Sequence, residues 1–537
     1  MRRILVISEF TELSTGYSVY CKNLIRKLFE SNKYEVAELA TYCEVGEPRI
    51  ANVPWKVYPV IPHPHDTENR QIYDAQANGG DPQVAFGKGV FNHVLLDFKP
   101  DVVCTITDFW YCNFIDYCPY RHCFNWVHMP TVDALNQKYD WKDVYSRCDA
   151  LLTYTDWSKK VLEDEGGLFS HGEATPAASE HYYPMNQAKC KESFGINPET
   201  NIIGMISRNQ RRKLYPDLIS SFSKWIHSTG RKDTLLLLHS AWPDNQGWDF
   251  PRIIMENQVC KYVLLTYICG NCQSVWLNHF SGQTSVCPRC NDWSCVTSSV
   301  GGMVNDLEMA RIFNTLDLCV QWANSEGCGI APIQAAACGT PVIEVDYSAM
   351  DDVVRKLGGE PIAPLTTYEE IETGCLRAIP DNKKLIEQFD EFFSLPTSLR
   401  QLKRLETREH YTDNYSWDKA TNKWVEVIDK VPRKNWNAER KVHAPAEFQE
   451  LDQLTNYEYA HWLMTEVLGE PERIGTSFEL SLISDLNYGQ TNKLPGMYFI
   501  EDSHQFFDGG SKPFSRRDAY DTMRNMCESR NEWETNR

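Results

Sequence analysis

The chain has 537 residues, more than a single hydrophobic core accommodates, so at least two domains are expected. Hydrophobic residues make up 42% and charged residues 24%, an ordinary globular composition. A net charge of −19 argues against a protein that coats nucleic acid through one large basic face, although it leaves room for a local basic groove. No run of ~20 apolar residues is present, so no transmembrane helix is expected. Arg2 and Arg3 open the chain, but Glu9 and Glu12 interrupt the apolar run too early for a signal peptide, which points to a cytoplasmic location. The 19 cysteines then read as thiols and metal ligands rather than disulfides. Sixteen Trp and 26 Tyr suit sugar or base stacking as well as burial in cores.

In chain order, residues 3–8 form a short apolar strand, 9–16 a polar loop, and 17–30 a helix with apolar spacing through Val19, Leu24, Ile25 and Leu28. Strand, glycine-bearing loop and helix make the first unit of a Rossmann-like sheet, whose ligands lie at the carboxyl ends of the strands. Gly16 sits at that edge. Strands follow at 35–42 and 55–60, a helix at 91–98, and strands at 101–106, 124–130 and 148–154, with a helix from Asp156. His128 falls at the carboxyl end of its strand, placed either to line a pocket or to serve the core. Asp108 and Asp133 are candidates of the same kind. The segment His181-Tyr-Tyr-Pro reads as a linker to the second half.

A strand at 201–208 restarts the alternation, and Arg208 and Lys213 follow on its loop. Two cations five positions apart can straddle a diphosphate, the guanidinium as a fork and the ammonium as a point charge. An amphipathic helix begins at 218–225 and a strand occupies 234–239. Next come two Cys-x-x-Cys knuckles, Cys269/Cys272 and Cys287/Cys290, separated by 14 residues. Four thiolates at this spacing close a tetrahedral zinc site with no open position, hence a structural one. Cys260 and Cys295 are spare. A helix at 306–314 and a strand at 317–321 lead into residues 324–343. There Glu326 lies in a turn bracketed by Gly327 and Gly329, whose missing side chains allow close approach of a ligand. Pro332 suits a first helical turn and Gly339 a C-terminal cap. A glycine turn at a helix N-terminus suits a phosphate, and equally serves as a plain structural turn.

The whole string Glu-Gly-Cys-Gly-Ile-Ala-Pro-Ile-Gln-Ala-Ala-Ala-Cys-Gly-Thr-Pro-Val, from Glu326, resembles the donor-site signature of the retaining GT-B glycosyltransferases of family 4. The resemblance extends over roughly residues 1–430 apart from the cysteine insert. It implies an α/β GT-B fold: two Rossmann-like doubly wound domains facing across a cleft, with a zinc ribbon inserted in the second and a C-terminal extension. The expected division is 1–184 on the acceptor side, 185–412 binding the nucleotide sugar, 260–298 the ribbon, 413–433 a helix crossing back to the first domain, and 434–537 a polar extension with a frayed end.

It implies further that Arg208 and Lys213 bind the donor pyrophosphate, that Glu326 bonds sugar hydroxyls, and that His128 lines the sugar pocket. Gly16, Gly327, Cys328, Gly329, Ile330, Ala331 and Gln334 would contact the donor. The family carries a second acid where this chain has Gln334, so the grip on the ribose is expected to be weaker. The co-substrate would be a UDP- or GDP-sugar, with structural zinc and no catalytic metal, because fixed cations already meet the departing diphosphate. A saccharide is the first expectation for the acceptor and a hydroxylated base in DNA the second. A sugar-nucleotide epimerase and a non-catalytic binding protein are the readings from other classes.

Overall fold

The computed structural model describes residues 1–298, 304–436 and 444–454, and beyond them 458–459, 462–467, 497–500, 505–508 and 513–535. Much of the expected extension 434–537 lies outside the described residues. Among those that are described, no helix is long and apolar enough to cross a membrane, and all nineteen cysteines are free thiols.

Two parallel sheets dominate. The first contains β1 (Arg2–Glu9), β2 (Tyr34–Glu44), β3 (Lys56–Ile61), β4 (Val102–Ile106), β5 (Asn125–Met129) and β6 (Ala150–Leu151), in the order β3-β2-β1-β4-β5-β6. Its central strands are continuous apolar runs because helices cover both faces, as in β4 where all five residues are buried. The helix Gly16–Glu30 follows β1 and starts on Thr15, whose hydroxyl accepts the Ser18 N–H. The expected strand 148–154 keeps only two ladder residues, because the chain turns away to bridge Thr153 with Glu173.

The second sheet contains β7 (Asn201–Ile206), β8 (Thr234–His239), β9 (Val263–Cys269), the short strands β10 (Val275–His279), β11 (Thr284–Ser285) and β12 (Cys295–Thr297), then β13 (Leu318–Gln321), β14 (Val342–Val345) and β15 (Glu360–Ile362). Its parallel core runs β9-β8-β7-β13-β14-β15. Strand order reverses between β7 and β13, and such a switch point opens a crevice at the carboxyl ends. The loops after β7 and β13 therefore adjoin, although over a hundred residues separate them in sequence. Leu214 N–H donates to the Trp322 carbonyl at 2.9 Å, and Asn324 N–H to that of Arg212 at 3.0 Å.

Two features fall where the sequence reading assigned no element, and a third departs from it. A hairpin of β16 (Thr366–Glu369) and β17 (Leu376–Ile379) follows β15, and two helices, Asn382–Ser394 and Thr397–Asn414, come after it. The chain end expected to be frayed is helical over Arg516–Thr535. Ser515 and Asp518 cap one another there, and Arg517–Asp521 and Arg524–Glu528 pair at i,i+4 spacing.

The helix Trp417–Lys430 returns to the first sheet. Trp424, Val427 and Ile428 are buried with Ile4, Val6 and Leu24, and Trp424 Nε1 donates to the Tyr20 hydroxyl at 2.9 Å. On the opposite side, the loop after β5 bears on the β16–β17 hairpin. Arg377 pairs with Asp133 at 2.8 Å, Leu376 N–H donates to the Leu135 carbonyl at 3.1 Å, and Asn136 to that of Gly374 at 2.8 Å.

Candidate active site

The switch point of the second sheet brings the basic loop to Glu326. Glu326 is 5% exposed and its carboxylate is held from three directions. Lys213 Nζ contacts Oε1, Gln321 Nε2 donates to the same oxygen at 2.8 Å, and Arg212 pairs with Oε2 at 2.6 Å. The Glu326 N–H donates to Ser348 Oγ at 2.9 Å. Ser348 pays for that bond with a φ of +58°, a region that non-glycine residues rarely occupy and that gathers at functional sites.

Arg208, the other expected clamp residue, is exposed and donates to Asp244 at 3.2 Å. Arg212 stands in the place beside Lys213 at the carboxylate. Nothing in the spacing distinguished Arg212 from Arg211, whose partner is the exposed Glu372. Ser348 and Gln321 carried no sequence signal at all, because their role comes from the ladder and from the turn after β14.

The two glycines after Glu326 have different causes. A Cβ on Gly327 would lie 2.3 Å from Thr131 Cγ2, so the neighbour that demands glycine here is the loop of the first sheet. Gly329 has φ +78° and opens the helix Ile330–Ala337, whose N-terminus no side chain caps. Gln334 lies one turn into that helix and is half-buried. It lines a cavity of about 630 Å³ together with Ile330, His239 and Tyr182, and with Gly16 and Trp417 from the side of the first sheet.

Three acid–base groups of the cleft are shifted. Burial and the adjacent Arg212 guanidinium pull the Lys213 ammonium well below its usual range. Burial pushes Glu344 well above the carboxylate range; it lies on β14 opposite Gln321, fully buried, with no hydrogen bond to either oxygen. Asp108 is raised to about 6 by burial, next to the Tyr17 hydroxyl, which in turn bonds Thr131 at 2.8 Å.

His128 lies on β5 with no exposed surface, its Nδ1 2.8 Å from Thr105 Oγ1 and its ring against Trp126 and Tyr145. It is not among the residues lining the 630 Å³ cavity. Burial lowers it to about 3, so the ring is neutral at physiological pH.

The four knuckle cysteines converge, all sulfurs lying within 4.8 Å of one another. Cys269–Cys290 and Cys272–Cys287 are each 3.6 Å apart. A tetrahedron with ~2.3 Å zinc–sulfur bonds has edges of about 3.8 Å, so the donor set fits zinc. Backbone N–H groups of Cys272, Arg289 and Cys290 point at the sulfurs of Cys269 and Cys287. Against the desolvation of its site, the hydroxyl of Ser274 and the N–H groups of Cys290 and Arg289 bring Cys287 down to about 5, the thiolate form that a metal binds.

Two Rossmann-like sheets whose carboxyl edges meet across a cleft define a GT-B fold. Within it, residues 298–406 match the model of the glycosyl transferases group 1 family, a span that contains Glu326, Gln334 and Ser348. No curated protein sequence matches the chain.

Solved structures share the fold. Sucrose-phosphate synthase from Thermosynechococcus elongatus is 14% identical, with 80% of this chain and 99% of that chain covered and a TM-score of 0.55. Anabaena HepE in complex with UDP-glucose is 11% identical over 80% and 100%, TM-score 0.54. WaaG, a glycosyltransferase involved in lipopolysaccharide biosynthesis, is 14% identical over 80% and 100%, TM-score 0.51.

Proposed function

We propose that the protein is a cytoplasmic retaining glycosyltransferase that moves a sugar from a nucleotide-diphosphate sugar to a hydroxyl of a saccharide. Residues 1–184 take the acceptor side, 185–412 bind the donor, 413–433 tie the two together, and 260–298 hold structural zinc on Cys269, Cys272, Cys287 and Cys290. The observation that carries this reading is the buried Glu326 carboxylate against Lys213 and Arg212, beside the uncapped N-terminus of the helix that bears Gln334.

Without donor, the Glu326 carboxylate balances one of the two cations it pairs with and leaves the pair short of negative charge. A diphosphate offers the same cations a stronger partner, and Glu326 is released to bond sugar hydroxyls. As the bond from the anomeric carbon to the diphosphate breaks, the leaving oxygen gains charge. Lys213, Arg212, Arg208 and the N–H groups of Gly329, Ile330 and Ala331 meet that charge. Gly16 and Cys328 complete the donor contacts, Gly327 keeps the turn against Thr131, and His128 backs the sugar pocket from β5. The UDP-glucose held by the HepE structure supports UDP as the first nucleotide to try.

The test incubates the protein with UDP- and GDP-sugars, saccharide acceptors and hydroxymethylated DNA, and follows nucleoside diphosphate release and product anomer. Release with a saccharide and retained configuration is expected. Release with DNA alone overturns the acceptor, conversion of the donor without release points to an epimerase, and neither turnover nor nucleotide binding leaves a binding protein. In the same assay Gln334→Glu restores a charge-assisted bond to the ribose, worth about 1 kcal/mol or roughly a fivefold lower donor KM with kcat little changed.

A further inference from the structure

We infer that the cysteine ribbon is a positioning element for the diphosphate clamp: metal on the four cysteines fixes Thr297, which fixes the loop 241–248, which fixes Lys213 and Arg208. This inference rests on the zinc and donor-site readings above.

The ribbon grows out of the ligand edge of the sheet. The first half of β9 pairs with β8, from Leu236↔Val263 to Leu238↔Leu265. Beyond the end of β8, β9 runs on and pairs with β12, where Cys295 lies opposite Cys269 and Thr297 opposite Tyr267. Metal ligand and sheet strand are thus one continuous piece of backbone. Thr297 Oγ1 accepts the Trp242 N–H and donates to the Trp242 carbonyl, both at 2.9 Å. Phe280, from the turn of the ribbon, stands edge-on to the Trp242 ring at 5.2 Å.

The other end of the same loop holds the clamp. Asn209 Oδ1 accepts the Trp248 N–H at 2.8 Å, and Asn209 Nδ2 donates to the Trp248 carbonyl at 3.0 Å and that of Ala241 at 3.3 Å. The indole N–H of Trp248 donates to the Lys213 carbonyl at 2.7 Å, and Asp244 accepts from Arg208 at 3.2 Å. A Cβ on Gly247 would meet Asn209 Cγ at 2.4 Å, so the loop and the clamp are in tight contact. Two of the three cations proposed for the diphosphate, Lys213 and Arg208, are therefore braced by a loop whose far side is held by the ribbon.

Metal has leverage over β12 because that strand has little else, whereas β10 keeps a five-pair ladder with β9. Strands β11 and β12 contain two and three residues, too few to persist on ladder hydrogen bonds alone. In such a module the free energy of metal binding is the free energy of folding. Loss of metal frees β12 from β9, and Thr297 releases Trp242.

The experiment compares the zinc-loaded full chain, the chelated chain, Cys287→Ser, Thr297→Val and Thr297→Ser. It measures zinc content, UDP affinity by calorimetry, and amide hydrogen exchange over residues 207–214. Thr297→Val is expected to keep one zinc per chain yet bind UDP about tenfold more weakly and exchange faster over 207–214, since outer residues that orient a site cost 10–100-fold when removed. Thr297→Ser keeps both hydrogen bonds and restores both readouts. Chelation and Cys287→Ser lose zinc and weaken UDP at least as much. UDP affinity and exchange in Thr297→Val within twofold of the parent chain overturn the coupling, as does a chelated chain that behaves like the loaded one or a parent chain without zinc. A parent chain that binds no nucleoside diphosphate overturns the donor reading instead, and the exchange measurement still decides whether the ribbon braces the loop.

Discussion

Enclosed by Trp126 and Tyr145, His128 has no surface from which to gain a proton cheaply, and burial lowers it to about 3. The unfolded chain binds that proton near pH 6.5. The folded state therefore binds fewer protons than the unfolded one between those values, so stability is full above about 6.5 and falls as pH drops toward 3. Relative to His128→Asn, which has nothing to titrate, the parent chain should lose about 2 kcal/mol between pH 7 and pH 5. Urea midpoints of the two proteins across that range measure it, and parallel pH profiles would falsify the buried neutral ring. The same neutrality removes His128 from general acid–base work near neutral pH and leaves it contact by shape and hydrogen bonding.

Elements were easier to read than the contacts between them. The strands and helices that alternate through residues 1–345 announce themselves by apolar runs and 3.6-residue spacing, because each strand is buried on both faces and each helix on one. The glycine turn and helix of the string from Glu326 were legible for the same local reason. What a linear reading could not show is which loop residue turns inward. Arg212 reaches Glu326 because Asn324 N–H binds the Arg212 carbonyl across the switch point, a contact set by the sheet order. Gly327 makes the same point: its constraint is Thr131, almost two hundred residues away in sequence.

Gly327→Ala should force these loops apart, since the added carbon would lie 2.3 Å from Thr131 Cγ2. The colliding atom is the Thr131 methyl, which serine lacks. Gly327→Ala should therefore cut turnover severely, and Gly327→Ala with Thr131→Ser should recover most of it, a non-additivity that a double-mutant cycle reads directly. Equal turnover in the single and double variants would mean that the glycine serves the ligand and that the loop is incidental.

At the scale of the whole molecule, the chain crosses between the sheets and then returns to where it began. Trp424, fully buried on the return helix, donates to the Tyr20 hydroxyl, which donates to the Ala174 carbonyl at 2.6 Å. The first sheet is thus completed by residues that follow the entire second sheet in sequence, while Glu326, Lys213 and Gln334 all belong to the second. Unfolding of a chain built this way need not be a single step. If 1–184 and 185–412 are separate cooperative units, Trp424→Ala should lower one calorimetric transition by the equivalent of about 3–5 kcal/mol. The second transition, which UDP should raise if it binds as proposed, should barely move. Trp424→Phe keeps one aromatic ring but loses the second ring of the indole and its hydrogen bond, so a smaller loss, about 2 kcal/mol, is expected from it. A single transition that shifts as a whole in both variants would show that the return helix fuses the sheets into one unit, and the proposed division would fall.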